Sequence, residues 1–162
     1  MTPTKQLTLA ICMTTFLLAL PGHAAEEKPR PDYGPDITID LAKQIASRAV
    51  TECQLNQWKV AVAIVNTHGS LVYYERMDNT QSASARVAVD KASTAAMYRR
   101  TTREFASIMA KDGPAVMTLP GVIASPGGIP ILREGKVIGG IGVSGVNGNQ
   151  DEQCAKAGLS GL

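Results

Sequence analysis

His68 is the only histidine beyond the first 25 residues, and it stands in the turn-like run Asn66, Thr67, His68, Gly69, Ser70. Its imidazole is the single candidate histidine base there, and it could also bind a haem iron as an axial ligand. The plainer reading is a polar residue in a turn whose neighbours already supply turn chemistry. Arg76, Asp78 and Lys91 are the charged side chains suited to a cleft, where two cations could hold an anion and a carboxylate could move a proton. Solvent or an ion pair ordinarily claims such residues.

Two cysteines, Cys53 and Cys154, remain once the first 25 residues are set aside. In an exported protein the default for such a pair is a disulfide, here closing a long loop; two free thiols or metal ligation are the alternatives. Two sulfurs and one distant histidine make a poor zinc site, so no metal centre is expected. The motifs HExxH, C-x-x-C and the P-loop are absent, and without C-x-x-C-H any haem would be bound noncovalently.

Residues 127 to 145, GGIPILREGKVIGGIGVSG, place seven glycines in a run as apolar as a buried strand. Within it GIGVSG, residues 140 to 145, reads as G-x-G-x-x-G, yet only 17 residues follow. A dinucleotide site needs a second parallel strand and an acidic ribose partner about 20 residues on, so that reading fails. Nor is GVSG a nucleophile elbow, since Val146 stands where glycine is required. With side chains alternating along Val137 to Ser144, one face is almost bare at Gly140 and Gly142. Either a small-residue helix lies flush on that face or a flat ligand does. Backbone amides near Gly127 and Gly128 could take an oxyanion.

The elements that position these residues can be read from periodicity. Thr38 caps a helix whose stripe is Leu41, Ile45, Ala49 and Cys53. Val60 to Val65 is a strand covered on both faces, paired through the NTHGS turn with LVYYERMD. Ser82 to Arg100 is an alanine-rich helix with a small contact stripe. A capping box of Thr101 and Glu104 opens a further helix that Asp112, Gly113 and Pro114 end. Ile129 to Leu132 and Val137 to Ser144 form a second hairpin, and Asn149, as N-cap, opens a last helix to Gly158. This order predicts an α+β domain with an antiparallel sheet flanked by helices.

Ahead of this domain, Lys5, the uncharged run Leu7 to Leu20 and the small residues Ala24 and Ala25 read as a secretory signal peptide, residues 1 to 25. The apolar run of about 14 residues is short of the roughly 18 to 20 that cross a bilayer, so no stable membrane anchor is expected. Residues 26 to 36, rich in proline, read as a flexible leader, and the domain as residues 37 to 162. Sixteen basic against fourteen acidic residues, without a basic cluster along the chain, argue against a nucleic-acid face.

ERMD at 75 to 78, KASTAA at 91 to 96, PGGIPI at 126 to 131, GKVIGGIGVSG at 135 to 145 and QDEQCAKAGL at 150 to 159 together resemble the GlcG/HbpS-type haem-binding, or haem-degrading, family. The resemblance runs from Ile37 to Leu162. It implies a profilin-like three-layer domain, with the first and last helices on one face of the sheet and the middle helices on the other. Cys53 and Cys154 would then lie near each other, and the protein would form homo-oligomers. Asn66 departs from the pattern, because the family usually carries aspartate there, which weakens any acid/base or metal role for the turn.

The resemblance, the export signal and the glycine-smoothed strand lead to one main expectation. The chain is a periplasmic or secreted, noncovalent haem-binding protein that scavenges, stores or senses haem, with His68 as candidate iron ligand and Met77 or Tyr74 as further candidates. The alternative is an enzyme or binder for a small organic acid or carbonyl compound, using Arg76, Lys91, Asp78, Gly127 and Gly128.

Overall fold

The structure, a computed structural model, describes residues 29 to 162. The expected signal peptide, residues 1 to 25, lies outside the described residues. The first helix, α1 (Ile39–Leu55), starts where extended Thr38 accepts a hydrogen bond from the Leu41 amide, and it buries Ala42, Ile45, Ala46, Ala49, Val50 and Cys53. Strands β1 (Ala61–Val65) and β2 (Leu71–Arg76) follow, and every residue of β1 is buried. Helix α2 (Ser84–Tyr98) is two residues shorter at each end than its alanine pattern suggests, and at its C-terminal end Arg99 turns left-handed at φ 55°.

Helix α3 (Thr102–Asp112) opens with the expected capping box and ends at Gly113, φ 87°, where only glycine is at ease. A 3₁₀ turn at Pro114–Thr118, which periodicity does not announce, leads to the second hairpin. Strands β3 (Gly128–Arg133) and β4 (Lys136–Ser144) are joined by Glu134 and Gly135, both at positive φ, the tight turn whose twist suits a hairpin. Helix α4 (Gly148–Gly158) is capped by Asn147 rather than Asn149, since the Asn147 side chain reaches the amides of Asn149 and Gln150.

The sheet is antiparallel throughout, in the order β2-β1-β4-β3. Helices α1 and α4 close one face over Val62, Ile64, Ile141 and Val143, and α2 closes the other over Ala61, Ala63 and Val65. The α+β, three-layer arrangement is therefore the one the sequence leads to. A disulfide joins Cys53 of α1 to Cys154 of α4, with Cα atoms 5.7 Å apart and both residues fully buried.

The bare face of β4 is answered by α2. A Cβ on Gly142 would collide with the Ala88 carbonyl, one on Gly140 with the Ala92 carbonyl, and one on Gly128 with the Lys91 carbonyl. Gly128 and Gly142 are cross-strand partners, so the glycines form a patch on which helix backbone rests directly on sheet backbone.

Residues 32 to 37, which the sequence assigns largely to a mobile leader, are held by the fold. Beyond the last β1–β4 pair, Val65 with Gly140, the start of β4 has a vacant side. The Val137 amide there donates to the Asp32 carbonyl, and the amides of Gly34 and Ile37 donate to the carbonyls of Val137 and Ile138. Backbone groups at a sheet margin need partners, and this segment supplies them.

Candidate functional site

Helix α2 ends beside the β1–β2 turn, and the two frame an open cavity of about 400 Å³ with Tyr33, Gly34, Thr67, His68 and Met97 in its wall. The turn is built by Asn66, whose side-chain oxygen accepts from the amides of His68 (3.0 Å) and Ser70 (2.9 Å), while Gly69 takes φ 79°. Asp36 ties the leader to the same turn, accepting from the Thr67 amide at 3.0 Å and the Thr67 hydroxyl at 2.5 Å. Those two bonds hold its carboxyl below the usual aspartate range. Asn66 thus serves as the turn's internal staple.

His68 is exposed on this turn, and its ring carries no hydrogen bond among the described residues. Opposite it, the Met97 thioether packs into the space a side chain on Gly69 would need. Met97 remains 51% exposed and lines the cavity. The Tyr33 hydroxyl donates to the Met97 carbonyl at 2.7 Å, and its ring lies 5.0 Å under the Arg99 guanidinium. An imidazole, a thioether and an aromatic plane thus share one opening of a size common for small ligands.

The other expected ligands are elsewhere. Met77 lies past the far end of β2, where its sulfur accepts from the Val60 amide at 3.5 Å and its side chain packs on the core beneath α1. Tyr74 is half-buried against the small residues of α2. Gly140 and Gly142 offer no platform to a flat ligand, because α2 occupies that face.

The constellation expected for an organic acid is not assembled. Arg76 and Asp78 are exposed at the end of β2 and in the turn after it. Lys91 is buried, its ammonium donating to the Val143 carbonyl at 3.0 Å and to the Asp151 carboxylate at 2.8 Å. Gly127 leaves room for that pair, since a Cβ there would lie 2.9 Å from the Lys91 nitrogen. The Gly128 amide already donates to the Thr102 hydroxyl at 2.9 Å.

Asp151, Tyr33 and Met97 are the residues that sequence reasoning passes over. Asp151 reads as an ordinary acidic residue in a helix first turn, and only its burial marks it as the partner of Lys91. Tyr33 is a lone aromatic in a proline-rich segment, a signal in principle, since such segments rarely carry one without a contact. Among the described residues, no group of three or more His, Cys, Asp or Glu is gathered as a metal centre, and no helix is long and apolar enough to cross a membrane.

A family model described as "Haem degrading protein HbpS-like" matches residues 37–160. The chain belongs to the HbpS-like family. Protein GlcG of Escherichia coli (strain K12) is 36% identical over 110 residues, covering 65% of this chain and 82% of that protein. Among solved structures, a crystal structure of HbpS superposes with TM-score 0.75 at 32% identity, covering 80% of this chain and 92% of that one. A crystal structure of a PduOC:heme complex superposes with TM-score 0.72 at 28% identity, covering 78% of this chain and 95% of that one. The fold expected from the HbpS-like resemblance is the fold observed, down to the pairing of outer helices on one face.

Proposed function

We propose that the protein is an exported, noncovalent haem-binding protein whose site is the cavity at the C-terminal end of α2. The observation that carries this reading is the exposed His68 ring facing the same opening as Met97, because imidazole and thioether are both ligand types that haem iron accepts. Family membership and the haem complex of a structural relative support it.

The residues present fit the group. His68 would hold the iron, Met97 replaces Met77 as the thioether candidate, and Tyr33 would offer the group an aromatic face. Bound haem would supply redox-active iron. The chain's own part is to position the imidazole through the Asn66 and Asp36 hydrogen bonds and to cover the ring with Tyr33 and Met97. Attachment is noncovalent because Cys53 and Cys154 are consumed by their disulfide, leaving no thiol among the described residues. Lys5, the run Leu7 to Leu20 and the small residues after it support export, and thus a role in scavenging, storing or sensing haem outside the cytoplasm.

Haem titration of the purified protein, followed in the Soret region, tests this. Saturable binding is expected, and His68→Ala should weaken it about ten-fold or more with a changed Soret position. No saturable spectral change would reject the reading, and an unaltered spectrum in His68→Ala would reject the ligand.

A further inference from the structure

Part of the wall of the His68 cavity is supplied by the leader, through Tyr33 and Gly34, while Thr67, His68 and Met97 belong to the sheet and helix layers. The same stretch of leader borders a second opening of about 750 Å³, where Pro31 and Arg99 share the wall. Little apolar burial holds this stretch. Asp32, Tyr33, Pro35 and Asp36 are all exposed, and among the described residues the first leader side chain to enter the core is Ile37, 6% exposed. Ile37 therefore marks the hinge, immediately before the Thr38 cap of α1.

Polar contacts at its two ends hold the stretch instead. At one end the Asp36 carboxylate accepts from the Thr67 amide and hydroxyl and, at 3.2 Å, from the Asn66 side-chain amide, which ties it to the turn that carries His68. At the other end Arg99 donates to the Pro31 carbonyl at 3.2 Å and lies over the Tyr33 ring, whose hydroxyl donates to the Met97 carbonyl. Between them the backbone meets β4 at an isolated bridge of Tyr33 with Val137 and not along a continuous ladder. A segment held by a few exposed hydrogen bonds opens at far lower cost than the domain unfolds.

Opening would take Tyr33 and Gly34 out of the cavity wall and leave His68 and Met97 behind. A ligand that touches both parts of the wall binds the closed form better, and that difference in affinity is what couples two states to a ligand. We infer that residues 31 to 36 form a strap whose closure is coupled to occupancy of the His68 cavity, with Asp36 and Arg99 as its two clasps. The identity of the ligand rests on the haem reading above.

Hydrogen exchange at Gly34 and Val137, with β1 as internal standard, tests this in wild type, Asp36→Ala and Arg99→Ala, with and without ferric haem. Arg99 lies outside the wall of the His68 cavity, so its variant loosens the strap without touching the turn. Without haem, both variants should exchange about ten-fold faster at Gly34 and Val137 while β1 stays protected. Haem should slow exchange at the wild-type strap, and haem release to an excess of an apo-haem protein should be about ten-fold faster from either variant. Asp36→Asn keeps an acceptor for Thr67 and should recover part of both effects. Loss of protection in β1 as well would show that the segment is part of the core and no strap. Faster release from Asp36→Ala alone would assign the effect to the turn and overturn the strap. A saturable Soret change with no haem effect on exchange at Gly34 would overturn the coupling and leave haem binding intact, whereas no Soret change at all would remove the haem reading and the coupling with it.

Discussion

The Lys91 ammonium and the Asp151 carboxylate form a buried ion pair 2.8 Å apart, linking a helix on one face of the sheet to a helix on the other. Both side chains are almost wholly inaccessible, at 2% and 3% exposed. The remaining acceptor of Asp151 takes the Val146 amide, and Lys91 also reaches the Val143 carbonyl. Burial pushes the Asp151 carboxyl above its ordinary range, against the opposing pull of Lys91.

Removing one member of this pair should be far worse than removing both. Lys91→Met strands a buried carboxylate and is expected to cost about 3 to 5 kcal/mol, whereas Lys91→Met/Asp151→Leu should cost distinctly less. Urea denaturation measures both. A double variant that loses the sum of what Lys91→Met and Asp151→Leu each lose would show that the pair is not coupled.

Acid sensitivity should depend on Glu152. Burial raises its carboxyl, but hydrogen bonds from Arg103 and Lys156 outweigh burial and hold it below the ordinary glutamate range. A depressed carboxyl contributes stability that is present above its unfolded value and is lost as pH falls through its folded value. Asp36 acts in the same direction, while Asp151, raised in the fold, acts in the opposite one. Glu152→Gln should therefore be less stable than wild type near neutrality, and the gap should close between roughly pH 5 and 3. Denaturation midpoints across that range check the sign, and a gap that widened in acid would refute it.

Gly142→Ala has no room on the α2 side, where its methyl group would strike the Ala88 carbonyl and the Ala92 amide. Helix backbone cannot yield as a side chain can, so a loss of about 3 kcal/mol is expected, with the melting temperature as readout. Gly135→Ala meets nothing within 4 Å and provides the contrast, since its cost is only that of a left-handed backbone at φ 75°.

Reduction of the Cys53 to Cys154 bond should be slow in the native protein, because both sulfurs are buried in the core between α1 and α4. Once broken it releases a loop spanning 101 residues, and Cys53→Ala/Cys154→Ala should lower stability by about 4 kcal/mol. Thiol titration with and without denaturant, followed by calorimetry of the double variant, measures the two effects.

The fold was legible because its signals are local. The four-residue stripe of α1, the continuous apolar run of β1 and the Thr101 to Glu104 box each name an element without reference to its neighbours. Of the proposed site, only His68 is legible in the sequence, where a turn motif and a rare residue type coincide. Lys91 reads as a cleft cation until its partner is known, and that partner is 60 residues away. Tyr33 and Arg99 likewise gain meaning only when the leader folds back along β4, a pairing set by the vacant side of Val137. Gly140 and Gly142 mark a bare strand face in the sequence, but such a face has the same composition whether a helix or a ligand covers it, and here α2 covers it.

The glycine patch under α2 has a consequence for how such a domain can diversify. Where two main chains touch, a larger residue on either side forces them apart, so drift along the middle of that helix is closed off. The end of the helix is less confined, since Met97 lines one cavity and Arg99 the other. New ligand preferences can arise there without disturbing the seam that keeps the domain folded.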